Sequence, residues 1–138
     1  MTVKPRFLVL GSLLTYSLAL ALPALEFKSS RPDEPSGVMI GLVAAFGGWQ
    51  AVVVLNFAWF ANPLYLYSLR MVLGRHWRTA AALGSLALLV ALHTFSLMGR
   101  PMPDGAVLVR LHAGFYLWLA SMIVVILGSH AFRRGSLQ

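Results

Sequence analysis

Residues Val38–Ala61 read VMIGLVAAFGGWQAVVVLNFAWFA, without one charged side chain. That is more than the roughly 20 apolar residues a helix needs to cross a bilayer. Three further runs have the same character: Phe7–Phe27, Ala80–Met98 and Ala106–Ser129. A chain of 138 residues that is 59% hydrophobic and 11% charged has more apolar surface than one aqueous core can hide. The sequence therefore predicts one all-α membrane domain, an integral four-helix bundle with spans at about 7–27, 38–61, 79–98 and 105–129.

Outward from Ala61 the chain stays apolar as far as Gly74, apart from Arg70. One helix over Gly37–Gly74 would be about 57 Å long. Asn62-Pro63 is the expected break, with asparagine as cap and proline at the first helical position. A short interfacial helix over about 63–73 follows, its Tyr65, Tyr67 and Arg70 suited to the headgroup region. Gly99-Arg100-Pro101 closes the third span, and Asp104 is placed to cap the fourth. The loop from Lys28 to Ser36, with two prolines, reads as irregular and extramembrane, and Ser36 as a cap for the second span.

Charge sets the orientation. Lys4, Arg6, Arg70, Arg75, Arg78, Arg133 and Arg134 fall on one side of the expected topology. Lys28, Arg31, Arg100 and Arg110 fall on the other. Both termini and the second loop are thus expected in the cytoplasm. The net charge of +7 is spread over span ends rather than gathered into a patch, which argues against nucleic acid. Ala19-Leu20-Ala21 resembles a signal-peptidase site, but the apolar run continues to Phe27, so the first helix is read as uncleaved. With no cysteine there is no disulfide and no thiolate metal site.

Chemistry is sparse. No catalytic motif stands out, and the spans lack the buried carboxylate that proton-coupled transport requires. His93 and His112 sit at matching depth, roughly 7–10 Å below one surface, where they could act as axial haem ligands or hold a metal. The alternative is one ordinary hydrogen bond each. Gln50 and Asn56, six residues apart, face different sides of a helix and suit interhelical hydrogen bonding. Gly37, Gly41 and Ala45 form one small-residue ridge, with Ala44 and Gly48 beside it. Ala80, Gly84, Ala87 and Ala91 form another in the third span. Such ridges let helices approach closely, within the chain or against a partner. Arg110 can snorkel outward or meet a partner's acid.

Gly48-Trp49, Phe57-Ala58-Trp59-Phe60-Ala61-Asn62-Pro63-Leu64, Gly74-Arg75 and Gly114-Phe115-Tyr116-Leu117-Trp118-Leu119-Ala120-Ser121 together resemble the small four-helix bacterial inner-membrane proteins of unassigned activity. The resemblance implies an inner-membrane location. By analogy with immunity partners of membrane-directed toxins, it also implies a role in binding a membrane protein. The expected function is therefore non-enzymatic helix-to-helix binding, as an immunity or accessory subunit or a homo-oligomer. A b-type haem or metal carrier and a small solute channel are the alternatives.

Overall fold

The computed structural model describes residues 4–29 and 36–135. The loop prolines and charges at 31–35 lie outside the described residues. Helix α1 spans Pro5–Ala21, with proline in its first turn, where its missing N–H costs nothing. Pro23 ends it. A residue before proline is pushed out of helical geometry, and Leu22 is extended at φ −96°, ψ 158°. The chain continues as strand β1, Pro23–Ser29, so the first apolar run is a helix followed by a strand.

The run Val38–Ala61 divides further. Strand β2 covers Gly37–Ile40, helix α2 only Gly41–Gly47, and a 3-10 stretch Gly48–Val54. Two adjacent glycines and the β-branched Val52-Val53-Val54 are poor helix material. Leu55 closes the turn in the left-handed region, at φ 57°. A second 3-10 turn, Ala58–Phe60, leads into α3, Ala61–Leu73. Gly74 and Arg75, the latter at φ 59°, reverse the chain into α4, Trp77–Leu92, which tightens into 3-10 geometry over His93–Leu97. Strand β3, Ala106–Leu111, precedes the long α5, Ala113–Gly135.

The strands form one antiparallel sheet in the order β2-β1-β3. Glu26 pairs with Val38 on one side and Arg110 on the other, and a bulge follows Glu26 in the β1–β3 ladder. Leu108 and Leu111 turn inward onto Leu97 and Phe115 as a small core beneath the sheet. The main core lies between the helices. Ala61, Tyr65, Leu69 and Val72 of α3 meet Ala80, Ala87 and Ala91 of α4 and Met122 and Val125 of α5, with Val9 of α1. The alanines admit close approach, and a Cβ on Gly84 would already press on Ile126.

The four-helix bundle expected from the sequence is therefore not the fold. The described residues form five α-helices and a three-stranded sheet. Two helices, Trp77–Leu97 and Ala113–Gly135, are long and apolar enough to cross a membrane. The expected spans at 7–27, 38–61 and 105–129 each contain strand residues, because hydropathy alone does not separate a lipid-facing helix from an apolar strand. Ser36 precedes a strand rather than capping a helix, and the Asp104 side chain accepts from the backbone N–H of Ala106 instead of capping α5. The helix expected at 63–73 exists, but its Tyr65 is completely buried against α1 and α4 rather than set in an interface.

Two contacts fix which ends of the helices lie together. A Cβ on Gly128 of α5 would strike Leu8 of α1, and Trp77 of α4 stacks on Phe132 of α5 at 4.9 Å. The start of α1, the α3–α4 turn and the end of α5 thus share one pole, bringing together Lys4, Arg6, Arg70, Arg75, Arg78, Arg133 and Arg134. The sheet occupies the opposite pole.

Candidate functional site

Between the sheet and the helix ends lies a cavity of about 790 Å³. Its size falls within the roughly 300–1,000 Å³ of small-molecule sites. Segment 41–54 forms one wall, and its small residues Ala44, Gly47, Gly48 and Ala51 leave the space open. Leu25 and Phe27 of β1 and Phe115 and Trp118 of α5 form others.

Three polar side chains brace the walls of the cavity. Asn56, 1% exposed, donates from Nδ2 to the carbonyl of His93 (2.8 Å) and accepts the backbone N–H of Ala58 on Oδ1 (3.0 Å). It thereby ties the left-handed corner after the 3-10 stretch to the end of α4. The Trp59 indole donates to the carbonyl of Ala45 at 2.5 Å and lies against Gly48. Asn62, which lines the cavity, accepts on Oδ1 from the Tyr16 hydroxyl (3.1 Å) and from the Trp118 indole (2.9 Å), so its amide orientation is set.

Below Asn62 the polar ladder continues into the helical core. The Tyr65 ring stacks on Tyr16 with centroids 5.1 Å apart. Its hydroxyl lies 2.7 Å from Ser12 Oγ, which donates to the carbonyl of Ser121 at 2.8 Å, so Tyr65 is the donor in that pair. At the sheet pole, Glu26 Oε2 stands 2.9 Å from His112 Nε2 and 3.8 Å from Arg110 Nε. Arg110 is mostly exposed, so this pair contributes little to stability.

No protein-family model, no curated protein and no solved structure matches this chain.

Of the ridge and amide residues singled out in the sequence, the structure brings six to the cavity wall: Gly41, Ala44, Ala45, Gly48, Gln50 and Asn56. Gln50 sits on the exposed side of that wall. Gly37 belongs to β2, opposite Phe27, so Gly37, Gly41 and Ala45 do not form one helical ridge. Gly41 abuts the backbone of Ala19 instead, and its N–H donates to the carbonyl of Leu22. Arg110 finds its acid within the chain, in Glu26.

His93 and His112 have separate surroundings. His93 Nδ1 accepts from the backbone N–H of Phe57 (3.3 Å) and its ring stacks on that phenyl, while His112 faces Glu26. Among the described residues no three His, Asp or Glu side chains gather where they could hold a metal. The residues that sequence reasoning missed are Ser12, Tyr16, Asn62, Tyr65 and Trp118. Ser12 and Tyr16 lie one helical turn apart, a signal available in the sequence. Asn62 looked like a cap because it precedes proline, but it lies inside α3.

Proposed function

We propose that this chain is a multi-pass protein of a bacterial inner membrane, with its basic pole in the cytoplasm, and that it acts by non-covalent binding rather than by catalysis. The observation that carries this reading is the separation of charge along the molecule. Seven basic side chains share one pole, against Lys28, Arg100 and Arg110 among the described residues at the sheet pole, where Glu26 and Asp104, the acids among the described residues, also stand. Between the poles the surface is apolar: Phe7, Leu10, Leu14 and Leu18 line the outside of α1, and Leu89, Ile123 and Leu127 lie outward on α4 and α5. Helix α5, 23 residues long, reaches about 34 Å, against roughly 30 Å of hydrocarbon. Lys and Arg collect on the cytoplasmic side of membrane proteins.

The binding place is the cavity under the sheet. A solute path needs a polar lining along its length, and this wall is apolar except at a few amides, Thr94 and Asp104. A membrane-protein partner, in an accessory or immunity role, is a second form of the reading. It is favoured by the outward row Phe46, Trp49, Val53 and Leu55, each more than half exposed. The test is flotation. Purified protein mixed with phosphatidylcholine vesicles at alkaline pH is expected to rise with the lipid through a density gradient. Recovery in the aqueous fraction would overturn the membrane assignment.

A further inference from the structure

We infer that the cavity is a binding site for a neutral lipophile carrying a carbonyl or ether oxygen, taken up sideways from the bilayer. The inference rests on the membrane reading above and adds the chemistry of the ligand. Its volume, about 790 Å³, and its walls of Ala, Gly, Val, Leu and Phe suit an apolar body. Charge decides the head. Among the described residues the lining contains no Lys, Arg or His, and its one ionisable group is Asp104. A carboxylate or phosphate head would meet no cation there and an acid instead, and an unpaired charge in such surroundings is costly. The cations of the chain are gathered mainly at the other pole.

Asn62 supplies the polar handle. Two donors, the Tyr16 hydroxyl and the Trp118 indole, occupy its Oδ1, which fixes the amide so that Nδ2 is the group left to bind a ligand. A donor held in this way suits an acceptor oxygen and repels an ammonium group. The 3-10 stretch Gly48–Val54 is the wall through which a ligand passes. It contains no fully buried residue, and its Gln50 and Val53 are exposed on one side while lining the cavity on the other.

The experiment uses the full-length protein reconstituted in phosphatidylcholine vesicles and recovered by flotation, so that failure to enter lipid is seen before any ligand is tested. Three probes carrying a photoactivatable diazirine in a sixteen-carbon chain are compared: the methyl ester, the free carboxylate and the plain hydrocarbon. The methyl ester is expected to label peptides of segment 41–54 and around Trp118, and excess unlabelled ester to compete. Gly47→Phe should reduce that labelling by about tenfold or more. Gly47 lines the cavity, has ordinary helical dihedrals, φ −96° and ψ −17°, and has open space where its Cβ would stand, so the ring is accommodated without disturbing the backbone and is expected to narrow the site. Ala51→Leu narrows the same space and serves if Gly47→Phe fails to float. Asn62→Asp keeps the acceptor for Tyr16 and Trp118 but removes the amide donor, and should erase the preference for ester over hydrocarbon. Labelling confined to the outward faces of α1 and α5 and unchanged by Gly47→Phe would overturn the site. Carboxylate labelling equal to that of the ester would overturn the neutral class, and equal hydrocarbon labelling would overturn the role of Asn62.

Discussion

Gly114→Ala is expected to cost about 3 kcal/mol or more and to lower the thermal midpoint in detergent sharply, at the upper end of overpacking effects. The added methyl would lie 2.7, 2.8 and 2.9 Å from the carbonyl oxygens of Pro23, Leu22 and Ala19. All three are backbone atoms at the joint between α1 and β1, so no side chain can rotate away. Relief would require separating α5 from that joint, which also carries the bond from His112 N–H to the carbonyl of Ala24. The control is Gly11→Ala. Gly11 lies inside α1 with nothing near its Cβ position, so alanine there should gain roughly 0.5–1 kcal/mol from helix propensity. Equal midpoints for the two variants would show that α5 does not approach α1 this closely.

Tyr65→Ala is the second large effect. Its ring is completely buried among α1, α3, α4 and α5, and removing it empties a space at the centre of the main core. Substitutions of this size in a core cost about 3–5 kcal/mol. The hydroxyl is a smaller part of that. Tyr65→Phe removes only the donor to Ser12, whose own hydroxyl still donates to the carbonyl of Ser121, so a loss of about 1 kcal/mol is expected. A large gap in unfolding midpoint between the two variants places Tyr65 in the core. Two small, equal effects would return it to the interface position that its neighbourhood with Tyr67 and Arg70 suggested.

Tyr65 illustrates what the sequence made legible and what it hid. The stripe Ala61, Tyr65, Leu69, Val72 repeats at helical spacing, so its burial could have been read from periodicity. The presence of α3, the α3–α4 turn at Gly74 and the extent of α4 with its 3-10 end follow from Pro63, Gly74 and Gly99. The sheet was harder to see. In a chain this apolar, β2 and β3 lack the polar alternation that usually marks a strand, and although Leu25-Glu26-Phe27-Lys28 of β1 does alternate, β1 and β3 each merge with a neighbouring helix into one hydrophobic run. Pro23 and the paired Gly47 and Gly48 were the local cues, and each breaks a span assigned from hydropathy. The cavity had a different kind of signature. Ala44, Gly47, Gly48 and Ala51 looked like surfaces for close helix approach, whereas in the fold they leave room under the sheet. Small residues permit either outcome, and only the path of β2 and α2 selects between them.

Because the chain contains no cysteine, single substitutions can report on each pole separately. The decisive measurement is labelling of Val109→Cys, Arg78→Cys and Ile123→Cys by a membrane-impermeant maleimide, in intact bacterial cells and after permeabilisation. Val109 is exposed on β3, Arg78 belongs to the basic pole, and Ile123 lies outward midway along α5. The expected result is labelling of Val109→Cys in intact cells, of Arg78→Cys only after permeabilisation, and of Ile123→Cys only in denaturant. Rapid aqueous labelling of Ile123→Cys, at the rate of the two poles, would contradict a lipid-embedded body.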